Sequence, residues 1–258
     1  MRVLAVGDVC GKAGLRILER HLWALRREAE ADCVIVNAEN AHMLGVTPSE
    51  ARSMLDWGAD VLTLGNHSFK RQEIREFMDE SDRIVRPANY PAGAPGEGMC
   101  FFESEKGCVC VINLLGRCDL PFGPDNPFSV AEKLLEKAHA HTNIILVDFH
   151  AEATSEKCAM AYHLDGRVSA VFGTHTHVQT ADERVFPGGT GFITDLGMTG
   201  AMDSVIGVKA EQSLAYFRGD MLVRFSSAEG PAMLNGALFD IDDSTGLCIG
   251  VERVWISE

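Results

Sequence analysis

The sequence predicts an α/β fold: a four-layer α/β/β/α sandwich of two packed mixed sheets with flanking helices, built by residues 1–258 as a single domain. Three observations carry that expectation. Apolar runs of strand length alternate with segments of helical periodicity, the pattern of parallel strands covered by helices. A hairpin-like pair in the middle and a strand-rich final third add antiparallel pairing. With 46% of its 258 residues apolar, the chain can bury one large core, and length alone requires no division.

The elements follow in order. Residues 2–6 read as a buried strand, and residues 13–30 as a helix with Leu15, Leu18, Leu22 and Leu25 at helical spacing. A second apolar run, 33–36, ends at Asn37-Ala38-Glu39-Asn40. Thr47 has N-cap character, with Pro48 at the first helical position. A third strand, 61–64, stops at Gly65-Asn66-His67. Pro87, Pro91, Pro95 and the glycines of 93–98 form a loop, read as the crossing between two halves of the domain. Residues 99–102 and 108–115 then make a hairpin, followed by a helix at 128–140 and a strand at 143–149 that ends at His150. A helix at 152–162 and a strand at 168–172 lead to Gly173-Thr174-His175-Thr176-His177. Strands at 221–225, 233–241 and 248–256 close the series, and no internal repeat or low-complexity segment interrupts it.

Composition excludes several classes. A formal net charge of -14 argues against a surface that grips duplex nucleic acid through its phosphates. It leaves phosphate substrates open, because bound divalent cations would invert the field at their own site. No apolar stretch approaches the ~20 residues of a membrane-spanning helix. The amino terminus reaches Asp8 after too short an apolar run for a secretory signal, so a soluble, cytoplasmic protein without a membrane partner is expected. The eight cysteines are spread thinly and include no Cys-x-x-Cys, which favours reduced thiols. Cys108 and Cys110, two apart on a strand, face the same side of the sheet.

The chemistry concentrates at the ends of the apolar runs. Asp8, Glu39, Asn40, Asn66, His67, His150, His175 and His177 are carboxylate, carboxamide and imidazole groups, and parallel strand ends converge on one edge of a sheet. For Asp8, a hard-metal ligand and a helix cap are both open readings. Glu39 has two oxygens able to bridge metals ~3.5–4 Å apart, and Asn40 can add a carbonyl. Asn37, Asn40 and Asn66 also suit turns, but Asn66 is lifted by the adjacent His67 and the tight Gly65. His175 and His177, one residue apart, point to one side if the segment is extended. His21, His139, His141 and His163 are read as bystanders, and His42 stays undecided. No Gly-x-Gly-x-x-Gly or Walker lysine pattern supports a nucleotide loop.

The ordered series Gly7-Asp8, Asn37-Ala38-Glu39-Asn40, Gly65-Asn66-His67, Asp148-Phe149-His150-Ala151-Glu152 and Gly173-Thr174-His175-Thr176-His177 resembles the calcineurin-like metallophosphoesterase superfamily, and more narrowly its YmdB-type bacterial phosphodiesterase branch. The resemblance covers residues 1–200, including the segment 194–200. The sequence departs from the wider superfamily where Cys10 replaces the histidine of Asp-x-His, and where Glu39 replaces a bridging Asp. The resemblance implies two divalent ions per chain. Asp8, Glu39, Asn40 and His177 would hold one; Glu39, Asn66, His150 and His175 the other. Cys10 is ranked a bystander. Fe or Mn is favoured, with Zn or Mg as alternatives.

The expected reaction is hydrolysis of a small phosphodiester or nucleotide, 2′,3′-cyclic nucleotides by family resemblance. A metal-bridging hydroxide attacks, and His67 acts as general acid. Asp148 and Thr176 are expected to orient the imidazoles. Two rivals stay open: a phosphomonoesterase, and a regulatory protein that binds an RNA-processing partner. Apolar residues of 90–102 are a candidate homo-oligomer contact.

Overall fold

The computed structural model describes residues 1–120 and 123–258. The chain runs β1 (Arg2–Val6), α1 (Gly11–Glu28), β2 (Cys33–Asn37), α2 (Pro48–Asp56), β3 (Val61–Thr63), α3 (Ile74–Glu80), β4 (Ile84–Val85), β5 (Met99–Ser104), β6 (Gly107–Leu115) and α4 (Pro127–His139). It continues with β7 (Ile145–His150), α5 (Thr154–Leu164), β8 (Ala170–Thr174), β9 (Arg184–Val185), β10 (Gly191–Ile193), β11 (Gly200–Ala201), α6 (Ala210–Phe217), β12 (Ala232–Ile241) and β13 (Cys248–Ser257).

These strands form two mixed sheets. The first has the order β11-β12-β1-β2-β3-β4, with β13 also paired to β12; the second has the order β5-β6-β7-β8-β10-β9. In the first sheet β1, β2, β3 and β4 are parallel, and β12 closes the other edge of β1 in antiparallel register, Arg2 opposite Asp240 and Val6 opposite Gly236. In the second, the antiparallel pair β5–β6 leads into parallel β6, β7 and β8.

The layering follows from strand parity. Successive side chains of a strand face opposite sides. Val3 and Ala5 join Ile35, Val111, Leu146 and Phe172 in the cluster between the sheets. Leu4 and Val6 join Ile17, Leu18 and Leu22 of α1 on the outer side. In the second sheet Ile112, Val147 and Phe149 pack outward against Leu135 of α4 and Met160 of α5. Both faces of each sheet are therefore buried, which is why the strands read as continuous apolar runs. This is the expected two-sheet α/β sandwich.

Local signals held where they had a chemical basis. Thr47 caps α2, accepting from the Glu50 amide while Glu50 accepts from the Thr47 amide, with Pro48 in the first turn. Residues 221–225, expected as a strand, are instead a turn and irregular backbone after α6. Among the described residues they pair with no strand, and Met221 and Leu222 stay 69% and 91% exposed. The apolar residues of 90–102 pack largely within the chain, with Tyr90 and Cys100 buried. All eight cysteines are free thiols. Among the described residues no helix is long and apolar enough to cross a membrane.

Candidate metal centre

Strand topology brings the polar residues together. Asp8, Glu39-Asn40 and Asn66-His67 follow β1, β2 and β3 at the carboxyl edge of the first sheet. His150 ends β7, and His175 and His177 follow β8 in the second sheet. The two sets meet: His150 Nε2 lies 2.9 Å from Asn66 Oδ1, 3.2 Å from Glu39 Oε1 and 3.0 Å from His175 Nδ1. At the other end Asn40 Nδ2 is 3.0 Å from Glu39 Oε1 and 3.2 Å from His177 Nε2. Every candidate ligand of the sequence reading thus falls in one cluster, with Asp8, Glu39, Asn40 and His150 buried.

The proton placement of the three imidazoles is set from outside. His150 Nδ1 donates to Thr174 Oγ1 (2.8 Å), whose own hydroxyl donates to Asp148 Oδ1 (2.7 Å). His175 Nε2 faces Glu152 Oε2 at 3.2 Å, and His177 Nδ1 donates to the Ile206 carbonyl at 2.8 Å. With the hydrogen on each ring's outer nitrogen, the inner nitrogen is the atom turned toward the cluster and free to bind a cation. Asn66 Oδ1, Glu39 Oε1 and His175 Nδ1 then surround His150 Nε2 at 2.9, 3.2 and 3.0 Å, four atoms that can each give a lone pair. Such convergence calls for a cation. Glu39, His150 and His175 alone offer three ligand atoms within 4.8 Å of one another.

Two further observations fit a metal. Asp8 Oδ1 is buried without a hydrogen-bond partner among the described residues, while Oδ2 accepts from the His175 amide at 3.2 Å. Asp8 is also not a helix cap, since α1 is entered through Cys10 without a side-chain cap. At Gly65 a Cβ would stand 2.3 Å from Glu39 Oε2 and 2.4 Å from His150 Nε2, so only glycine lets β3 approach so closely.

In the protein alone, the buried carboxylates of the cluster are balanced by protons on the imidazoles: burial pulls His150 and His177 down, but Glu39 and Asp8 outweigh it at the first and Cys10 and Asp8 at the second, and both stand above their ordinary range. Burial pushes the Glu39 carboxyl up, but His150 and His67 outweigh it and hold the group well below its ordinary range. Burial, reinforced by His150, drives His175 down to about 3, which keeps its lone pair available. Asp148 is lifted to about 6 by burial, against the opposing pull of His150, Thr63, Thr174 and Asn37.

The route by which His175 and His177 arrive differs from the extended segment expected. Both have positive φ, 102° and 66°, a backbone state costing ~1–3 kcal/mol per non-glycine residue. The turn sends His175 beside His150 and His177 beside Asn40 and Cys10. Asp195 holds it, accepting from the Thr176 amide (3.1 Å) and hydroxyl (2.8 Å), and is itself paired with buried Lys157 at 2.6 Å. Thr176 therefore braces the turn, and among the described residues it makes no hydrogen bond to an imidazole. The orienting hydroxyl is Thr174, through which Asp148 acts. The sequence assigns no such role to Thr174, Glu152, Asp195 or Lys157, although Thr174 and Glu152 stand inside the motifs that carry the family resemblance and Asp195 in the segment 194–200.

His67 flanks the cluster. Its Nδ1 donates to Asn40 Oδ1 at 2.8 Å and lies 3.4 Å from Glu39 Oε1, and among the described residues Nε2 has no hydrogen-bond partner. A cavity of about 410 Å³ opens over His67, His175 and His177, with Met43, Leu44, Ile206, Val208 and Phe225 as an apolar wall. Cys10 also lines it, its Sγ 3.7 Å from His177 Nδ1.

The family of YmdB-like proteins matches residues 4–254. The chain belongs to that family. A relative of this YmdB-like chain from Bacillus subtilis (strain 168), described as a 2′,3′-cyclic-nucleotide 2′-phosphodiesterase, is 44% identical over 259 residues, covering 100% of this chain and 98% of that one. A crystal structure described as a novel phosphatase of Mycoplasma pneumoniae superposes with TM-score 0.92 at 37% identity, covering 100% of this chain and 93% of that one. A structure from Thermus thermophilus, described only as a hypothetical protein, gives 0.94 at 38% identity with both chains fully covered.

Proposed function

We propose that this YmdB-like chain, a phosphoric ester hydrolase, cleaves phosphate diesters, with 2′,3′-cyclic nucleotides as its substrates, at a pair of divalent ions. The observation that supports this reading is the convergence of His150 Nε2, His175 Nδ1, Asn66 Oδ1 and Glu39 Oε1, four potential metal donors. Asp8, Glu39, Asn40 and His177 would hold one ion, Asn40 through Oδ1 with its amide turned over from the orientation in which Nδ2 faces Glu39 and His177. Glu39, Asn66, His150 and His175 would hold the other. The mixed oxygen and nitrogen donors suit Fe or Mn. When bound, the ions supply Lewis acidity toward the phosphoryl oxygens and make water acidic enough to serve as nucleophile near neutral pH.

The chain's own residues supply the remaining functions. His67 gives the proton of Nε2 to the departing alkoxide; its Nδ1 bond to Asn40 fixes the ring over the cluster. Thr174, Glu152 and the Ile206 carbonyl keep the three imidazoles in one orientation. The wall of Leu44, Ile206 and Phe225 gives the nucleoside an apolar surface, and Phe225 offers a ring for a base.

The test is an assay of metal-reconstituted protein on a 2′,3′-cyclic nucleotide and on its monophosphate product, with metal content measured in parallel. The cyclic diester should be turned over at least ~10-fold faster by kcat/KM. The reverse preference would make the chain a phosphomonoesterase. In the same experiment Glu39→Ala should lose occupancy of both metals, because that residue alone is assigned to each. Two metals per chain in the variant would sink the bridging role.

A further inference from the structure

A second cavity, of about 380 Å³, adjoins the first and shares Gly11, Met43 and Ser227 with it. Lys12, Arg71 and Lys209 line it, and among the described residues none of the three makes an ion pair. Its carboxylates are Glu50 and Glu229. Glu50 is committed to the capping box of α2 and to His42 Nδ1 at 2.8 Å, which leaves Glu229 as the unengaged anion. Three cations thus face one free carboxylate, on a chain whose net charge is -14. Arg71 adds an independent sign: its Nε is buried and has no hydrogen-bond partner among the described residues. A buried donor left unmatched costs ~1–3 kcal/mol, and a charged one more, so the Arg71 guanidinium is under-satisfied beside the cavity it lines. Arg71 also packs where a Cβ on Gly45 would meet it at 3.1 Å and the His67 carbonyl at 3.3 Å, so the cationic wall and the His67 turn are neighbours.

We infer that this second cavity binds a second phosphate, on the 5′ side of the nucleotide whose cyclic ester reacts in the first. The inference rests on the cyclic-diester reading of the first cavity. A 5′-terminal monoester and an internucleotide diester share the chemistry that three cations recognise, and both extend from the nucleoside away from the reacting ester. The preferred substrates then carry two phosphates. A nucleoside 2′,3′-cyclic phosphate alone fills only half of the paired cavities.

The experiment compares kcat/KM for adenosine 2′,3′-cyclic phosphate, its 5′-phosphorylated form, and a diadenosine dinucleotide ending in a 2′,3′-cyclic phosphate. The second phosphate should raise kcat/KM by about 10-fold, chiefly through KM. Lys209→Ala and Arg71→Ala should each cut that gain to about 3-fold or less, with the unphosphorylated cyclic nucleotide held within about 2-fold. A larger gain with the 5′-monoester assigns the site to a terminal phosphate; a larger gain with the dinucleotide assigns it to an RNA end. Equal kcat/KM for all three substrates, or variants that slow all three alike, overturns the inference and leaves the reading of the first cavity standing. If none of the three is hydrolysed, that first reading has failed, and calorimetry then decides on the second cavity. Adenosine 3′,5′-bisphosphate binding more tightly than the 3′-monophosphate, with the difference abolished in Lys209→Ala, supports it; equal affinities overturn it.

Discussion

At the residue scale, the centre is organised by what stands behind each imidazole. Thr174, Glu152 and the Ile206 carbonyl each take an outer nitrogen, and the inner ones are left to converge. Thr174→Val should therefore weaken metal affinity by ~10–100-fold, as second-layer losses do, measured by chelator competition. Unchanged affinity would mean that packing alone orients His150. His67→Ala should keep its metals and lose ~10²–10⁴-fold in turnover of an ester with a poor leaving group. An activated aryl phosphodiester, whose leaving group needs no proton, should lose far less. Equal losses would count against the acid role. Residue types and their strand-end positions were readable from the sequence, because carboxylates, carboxamides and imidazoles after apolar runs have few other uses in combination. Their outer partners were not. Thr176 does not take the orienting role expected of it: at the turn made by the left-handed φ of His175 and His177 its hydroxyl donates to Asp195.

At the scale of elements, α5 matters beyond its packing. Its Lys157, 1% exposed, reaches Asp195, and Asp195 in turn holds the Thr176 turn and the Gly197 amide. Lys157→Met should cost ~3–5 kcal/mol in urea unfolding, because it strands a buried carboxylate. It should also loosen the turn that carries two candidate ligands, so metal affinity should fall with stability; full affinity in the folded variant would separate the two. A second contact ties α4 to the turn after α5: Glu132 accepts both guanidinium nitrogens of Arg167, at 2.6 and 2.7 Å. Hydrogen bonding by Arg167, helped by its charge and by His163, lowers the Glu132 carboxyl from 4.5 to about 2. A carboxyl lowered on folding contributes stability above its unfolded value and loses it as pH falls toward the folded one. The stability deficit of Glu132→Gln should therefore shrink between pH ~5 and pH ~3, by urea midpoints at low salt. A deficit that does not vary with pH would show the pair to be inert. Long strands and capped helices were legible because periodicity and turn chemistry act locally. Two-residue strands such as β4, β9 and β11 were not, since a pair of residues carries no period.

At the scale of the whole molecule, charge and site pull in opposite directions. A net charge of -14 repels phosphates at long range, yet the candidate centre and the Lys12–Arg71–Lys209 cavity present local positive sites, the former once its ions are bound. The proposed ions would be held by residues of both sheets and so bind only the folded chain; stripping them with a chelator should lower Tm by ~5–10 °C, by scanning calorimetry. An unchanged Tm after verified metal loss would contradict a centre that joins the sheets. The layer order was predictable from composition and alternation; the return of β12 to the free edge of β1 was not, because nothing local encodes which distant edge a strand will find. That return has a consequence for how the protein is made. β1 and β2 are synthesised more than 190 residues before β12, so until it arrives β1 presents an open edge. The nascent chain can gather its candidate ligands only as far as His177, and must still wait for that strand to seal the first sheet. Metal acquisition is therefore expected to be a late, post-synthetic event, and a truncated product ending before Ala232 should present an unpaired β1 edge to other chains.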